Sequence, residues 1–428
     1  MRHELTTLPS GLRVATERMP GVRSVAIGAW VGVGSRDEPA PIAGISHFIE
    51  HLLFRGTARH SALEIAQIFD RFGAELNAAT SREFTEIYAR VIDSHLDAAF
   101  SVVGGMVRAP TWADLDAERE VVLEEIAMYE DAPQDLVHDL IAEAVFGDHP
   151  LGRPVIGTAD VISSIPRDAI AGYHDSMYVP ANIVVAAAGN IEHERVVELV
   201  ERALAQRSEN APSRLNARPL LVHEPPPRRR FQQKDTEQYH VCLGAPGISR
   251  SDRRRFAASL LDAILGGSAS SRLFQEIREK RGMAYSVYSF VSQYTDTGQI
   301  GVYLGTREDN LADALAITAE QIADIAGGNL PERELERAKE NLKGRILLSM
   351  ESTSTRMNRL GKALITDSEL LSLDRIVAEV DAVDAASVSA LAGALLASER
   401  LSAACIGPNE ERFLAALERI TPDLARAA

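Results

Sequence analysis

The stretch Gly44-Ile45-Ser46-His47-Phe48-Ile49-Glu50-His51-Leu52-Leu53-Phe54-Arg55-Gly56 decides how the rest of this chain is read. As a helix of about 3.6 residues per turn it brings His47, Glu50 and His51 onto one stripe, because steps of three and four residues return to the same face. Ile45, Ile49, Leu52 and Leu53 supply apolar flanks, and Gly56 is placed to end the helix. Two imidazoles one turn apart can hold a Zn²⁺ at about 2.0–2.1 Å from each ring nitrogen, and a carboxylate between them can reach a water on the metal. The same pattern also arises by chance, and histidines on half-apolar helices often only donate to a backbone carbonyl. A third ligand elsewhere in the chain decides between these readings.

Working outward, residues 5–20 read as a short hairpin turning at Pro9-Ser10-Gly11, and 24–33 as a strand. After the polar loop Ser35-Arg36-Asp37-Glu38 and the metal helix come a second helix over 61–72 and strands over 74–80 and 83–92. A helix over 94–107 is broken by Pro110-Thr111-Trp112, and another follows over 114–129. In that last helix Glu118, Val121, Val122, Glu125 and Met128 fall along one partly apolar face. An acid on an apolar face needs a charge partner, since burying it bare costs several kcal/mol. A metal ion is one such partner, so Glu125 is a better ligand candidate than its neighbour Glu124. The alternative is a helix acid that faces solvent.

At 428 residues the chain is long enough for two or more domains. A formal charge of -16 argues against a nucleic-acid binder and suits neutral or basic ligands, basic peptides included. No apolar run approaches the length that crosses a bilayer, so no membrane partner is expected. The two cysteines, Cys242 and Cys405, read as buried thiols and exclude a disulfide framework. Residues 1–12 carry no apolar core of a secretory signal, which makes the expected location cytoplasmic.

A polar stretch over 208–230, ending in Pro225-Pro226-Pro227-Arg228-Arg229-Arg230, marks a linker between domains over 1–207 and 231–428. Beyond it the plan repeats: residues 25–31 correspond to 240–244, the metal helix to 256–265, and Glu118-Arg119 to Glu336-Arg337, a shift of 218 (336 − 118). At that shift Glu125 falls on Lys343, and the second copy's helix, Ala257-Ala258-Ser259-Leu260-Leu261-Asp262, has no histidine. Acid and imidazoles are absent together from one copy, as expected if they act as one site in the other. Gly266-Gly267 reads as a helix C-cap, and no Walker lysine follows it. Arg278 taken alone is equally a surface salt-bridge residue, and Tyr285 a strand aromatic.

With these residues assembled, the chain resembles the M16 family of zinc metallopeptidases, which includes pitrilysin, insulysin and the mitochondrial processing peptidase, and most of all its half-length bacterial members. The resemblance spans nearly the whole chain. It rests on His47-x-x-Glu50-His51, Glu118-Arg119-x-x-Val122-x-x-Glu125, Leu76-Asn77-Ala78-x-Thr80, and Arg278 with Tyr285. It implies an α+β fold of two similar α/β-sandwich halves, forming half of a clam-shaped chamber. It implies one Zn²⁺ per chain on His47, His51 and Glu125, with Glu50 as general base and Glu118 supporting the ligands. Asn77 would lie on or beside the strand edge that receives the peptide, and Arg278 and Tyr285 would reach the substrate from the second domain. The implied activity is endopeptidase cleavage of unfolded oligopeptides or presequence-like peptides, by a homodimer. The alternative within the same resemblance is a non-catalytic or partner-dependent subunit that binds peptides. Members that lost activity lack part of the His/Glu set, which this chain keeps entire.

Overall fold

The computed structural model describes residues 3–204, 218, 220–221 and 223–426. Of the linker expected over 208–230, residues 208–217, 219 and 222 lie outside the described residues. The first sheet contains β1 (His3–Thr7), β2 (Arg13–Arg18), β3 (Ser24–Val31), β4 (Glu75–Thr80), β5 (Thr85–Ile92) and β6 (Ile183–Gly189), in the order β1-β2-β6-β3-β5-β4. The second contains β7 (Arg229–Gln233), β8 (Tyr239–Gly247), β9 (Ala284–Gln293), β10 (Gly298–Thr306) and β11 (Ser402–Gly407), in the order β7-β11-β8-β10-β9. In each sheet one pair is parallel, β2 with β6 and β7 with β11, and every other pair is antiparallel. Strand for strand, the second sheet is the first without β1. The fold is mixed α and β in two similar halves, as the internal repeat predicts.

The helices of the first half are α1 (Ile45–Leu53), α2 (Ala62–Phe72), α3 (Leu96–Arg108), α4 (Leu115–Glu130), α5 (Pro133–Phe146), α6 (Ala159–Ser164), α7 (Arg167–Met177) and α8 (His193–Leu204). Those of the second are α9 (Arg255–Leu265), α10 (Glu308–Ala326), α11 (Glu332–Ser349), α12 (Thr353–Ile365), α13 (Leu373–Asp381), α14 (Ala385–Leu395), α15 (Glu410–Leu417) and α16 (Pro422–Arg426). Among the described residues no helix is long and apolar enough to cross a membrane. Local chemistry explains the boundaries. Ser61 and Glu64 form a capping box that starts α2, and Gly73, at φ +59°, closes it. α1 ends at Leu53, ahead of the expected stop; Gly56, at φ +128°, instead makes an isolated bridge to Ser61.

Because side chains alternate along a strand, β3 serves two cores. Val25, Ile27, Ala29 and Val31 pack with Phe48, Ile49 and Leu52 of α1 and with α3. Ala26 and Trp30 point the other way, to Met357, Leu360 and Ile365 of α12. The two compact units therefore do not follow the linear division at the linker. One takes the chain up to Ala127, Arg153 to the linker, and Leu347–Ser372; the other takes Met128–Gly152, Leu220–Ile346 and Leu373–Ala428. The physical reason is cover for an apolar sheet face. α12 fills the back of the first sheet, where Ala186 and Ala188 let it approach. In the second unit α5 does the same, setting Val137, Ile141 and Val145 on Cys242, Tyr303 and Ile406. Cys242 and Cys405 are free, buried thiols, as expected.

Candidate metal centre

The site is built in the first unit from α1, α4 and β4. α1 buries Ile45, Phe48, Ile49, Leu52 and Leu53, which leaves His47, Glu50 and His51 together on the opposite stripe. α4 is fixed by Arg119, whose guanidinium donates to the carbonyls of Ile162 and Ile165 and lies 5.2 Å from the ring centre of Phe48. The buried stripe of α4 is Glu118, Val122 and Ile126. Val121 and Met128, read from sequence as part of that face, are instead 45% and 72% exposed. The correction has a simple cause: steps of four (118, 122, 126) select the core-facing line, while 121, 125 and 128 run along its border.

Glu125 points at both imidazoles. Its Oε2 lies 3.1 Å from His51 Nε2 and 3.7 Å from His47 Nε2, with the rings 4.7 Å apart and edge to face. One ligand atom from each of the three residues lies within 4.8 Å of the others. Ligand atoms sharing a tetrahedral zinc at about 2.0–2.1 Å sit about 3.3 Å from one another, so this set fits the ion with little adjustment. The donor set, two histidines and a carboxylate, leaves room for a fourth ligand, as catalytic zinc sites do.

Neighbouring groups set the state of each residue. Glu118, 3% exposed, accepts from His51 Nδ1 at 2.8 Å and from Arg55, which turns Nε2 of His51 toward Glu125. Burial works to raise the Glu118 carboxyl, but the bonds from His51 and Arg55 hold it below its ordinary value. Burial, with His51 alongside, holds His47 down at about 4, so its ring is neutral and able to coordinate. At His51 burial opposes protonation, yet the Glu118 bond and the charges of Glu125, Glu118 and Glu50 outweigh it and raise the ring above 6.5. Glu50 is raised chiefly by burial; Thr80 Oγ1 of β4 donates to its Oε2 at 2.6 Å and partly offsets this.

Sequence reasoning named both histidines, Glu50, Glu118 and Glu125, and the structure brings all of them together. Asn77 is exposed on β4, the edge strand of its sheet, its Oδ1 accepting from the Ala78 N–H at 2.9 Å. Arg278 lies in the last turn of a π-helical segment, Phe274–Glu279, and its guanidinium lies 4.8 Å from the ring centre of Tyr285, which is 78% exposed at the start of β9. Gly266 and Gly267 both donate to the carbonyl of Asp262, capping α9 as expected. Two residues escaped notice. Arg55 and Glu38 stand in the quoted motif and in its preceding loop, but no periodicity marks them as partners of the site. Glu38 accepts from the N–H groups of Gly44 and Ser46, and burial pushes its carboxyl up to about 7 although both bonds pull it down.

The fold and site together define a duplicated α+β protein in which one copy gathers two histidines and a glutamate that could hold a metal ion. The chain belongs to the M16 peptidase family: residues 13–159 match "Insulinase (Peptidase family M16)" and residues 164–342 "Peptidase M16 inactive domain". Its relatives include an uncharacterized zinc protease of Streptomyces coelicolor, 44% identical over 95% of this chain and 90% of its own. One from Mycobacterium leprae is 43% identical over 94% of this chain and 91% of its own. The uncharacterized zinc protease YmxG of Bacillus subtilis is 40% identical over 94% of this chain and 98% of its own. The fold matches a crystal structure of a protease from Helicobacter pylori with a TM-score of 0.87 at 23% identity, over 95% of this chain and 99% of that one.

Proposed function

We propose that this protein is a zinc-dependent endopeptidase acting on unfolded oligopeptides, basic presequence-like segments among them. The observation that carries the reading is the convergence of His47, His51 and Glu125 beside a half-buried Glu50. The relatives' description as zinc proteases supports the same choice of metal and reaction. All four residues of the motif set are present, which disfavours the alternative of a peptide-binding subunit that has lost catalysis.

Bound by His47, His51 and Glu125, zinc would supply an electrophile for the scissile carbonyl and lower the pKa of a water towards about 7. Glu50 takes that water's proton as the new C–O bond forms. It then delivers the proton to the amide nitrogen as the C–N bond breaks. Burial raises the Glu50 carboxyl, which makes it a better proton acceptor. β4 ends its sheet with one edge open, so an extended peptide can add beside Asn77 as a further strand, which demands an unfolded substrate more than a particular sequence. Arg278 and Tyr285 are assigned to holding substrate carbonyls. The net charge of -16 favours basic peptides. In this proposal the working form is a cytoplasmic homodimer with one zinc per chain.

The test is Glu50→Gln. Zinc content should stay as in wild type while cleavage of a quenched fluorescent peptide falls by about 10²–10⁴-fold, the usual contribution of a positioned acid–base group. Near-normal turnover by this variant would remove Glu50 from the role of base.

A further inference from the structure

We propose that Glu38 is a positioning residue for the metal centre: it fixes the first turn of α1 and, through that backbone, the ring of His47. The inference rests on the zinc reading above. It starts from an asymmetry between the two imidazoles. His51 has its own aligning acid, Glu118, at 2.8 Å. Among the described residues His47 has none, and its buried Nδ1 has no hydrogen-bond partner. A ligating histidine normally donates its second ring N–H to a carboxylate, carbonyl or water, which fixes the ring's direction. For His47 that duty passes to the backbone that carries it.

His47 is the third residue of α1, within the turn whose N–H groups have no acceptor inside the helix. Gly44, the residue before the helix, stands at φ +94° and has no side chain with which to cap it. Glu38 does so from the preceding loop, its Oε2 accepting from Gly44 N–H at 2.6 Å and its Oε1 from Ser46 N–H at 2.8 Å. Both oxygens of one carboxylate are thus engaged, the second on the residue next to His47. The far side is closed as well: a Cβ on Gly44 would lie 2.7 Å from the carbonyl oxygen of Ile156.

The loop that holds Glu38 is tied at three points. Arg153 donates to the Glu38 carbonyl at 2.9 Å, Arg218 to Asp37 at 2.8 Å, and Arg36 to Glu83 at 2.9 Å in the core. Glu38 is 4% exposed, and burial raises its carboxyl to about 7 against both backbone donors, so the ionised form is disfavoured where it stands. No side chain can cap from Gly44 itself, where φ is +94° and the far side is closed, so the acceptor has to reach in from elsewhere in the chain. A glutamate reaching in from a pinned loop adds a fixed position, which a metal ligand requires.

The experiment compares full-length wild type with Glu38→Gln, which keeps the shape but offers one acceptor to two donors. Zinc affinity is measured by chelator competition, ligand geometry by the visible spectrum of the cobalt-substituted protein, and turnover as kcat and KM separately. The expected result is an unchanged circular dichroism spectrum, zinc affinity lower by about 10–100-fold, the range for losing a ligand-supporting group, a shifted cobalt band, and a fall in kcat with KM unchanged. Wild-type affinity and cobalt spectrum in Glu38→Gln overturn the inference. Should that variant fail to fold, Glu38→Asp keeps both acceptors one methylene short. It should fold and still shift the cobalt band, and an unshifted band overturns the inference equally. A wild type that takes up neither zinc nor cobalt refutes the metal-centre reading, and this one with it; a wild type that binds no better than Glu38→Gln refutes this one alone.

Discussion

Glu118→Gln isolates the aligning acid of His51. The native carboxylate gives one oxygen to His51 Nδ1 at 2.8 Å and the other to Arg55, at a position 3% exposed. Glutamine has one acceptor and one NH₂, so one of the two donors must face another donor. If the amide turns its oxygen to Arg55, the His51 ring loses the acceptor that keeps its proton on Nδ1 and its lone pair on Nε2, toward Glu125. A buried donor left unmet costs about 1–3 kcal/mol. At about 1.4 kcal/mol per tenfold, that is about 5–150-fold in zinc affinity, which brackets the 10–100-fold typical of such partners. Competition against a chromophoric chelator at fixed pH reads this directly, and excess zinc should restore much of the lost cleavage. A Glu118→Gln protein that holds zinc as tightly as wild type would refute the claim that Glu118 orients the ligand.

Three further outcomes follow from the same geometry. Zinc affinity should fall with acidification, since the proton competes first at His51, whose pKa its acidic neighbours raise, while burial keeps His47 neutral down to about 4; chelator competition over pH should show a one-proton slope well before a second, and two protons taken up together would contradict the assignment. Gly361→Ala places a methyl 2.3 Å from the indole of Trp30, which is fully buried and donates to Glu86 at 2.6 Å. Overpacking of this kind costs about 1–3 kcal/mol, at about 2–4 °C of melting temperature per kcal/mol for a unit of this size, and an unchanged thermal midpoint would show that α12 is not seated there. Arg278→Ala or Tyr285→Phe should lower peptide cleavage with zinc content intact, and unchanged kcat/KM in both would end their assignment to substrate.

The candidate metal centre was legible because its signal is local: His47, Glu50 and His51 report their shared face through spacing alone, and the apolar flanks of α1 say which side is buried. The duplication was legible for a similar reason, since Glu118-Arg119 recurs as Glu336-Arg337 while the ligands beside it do not. What escaped depends on long-range contact. Nothing in residues 35–38 shows that Glu38 folds back on the start of α1, because an acid in a polar loop and an acid capping a distant turn look the same in sequence. The border of α4 was misread for a related reason: a sixteen-residue helix with charge on every side carries little contrast between its faces, so only the packing of Val122 and Ile126 separates core from rim. The trade of α5 and α12 was invisible too, since amphipathic helices advertise that they need a cover without naming which sheet supplies it.

That trade bears on how the protein can be divided. A product ending at the linker would carry Trp30, Ala26 and Val184 with nothing laid over them, and would also carry α5 with its own apolar side bare. The remaining piece would be deprived and encumbered in the same manner. Gene doubling by itself yields two severable copies, but with a helix lent in each direction the products of a split gene would have to be made together and find each other to become soluble.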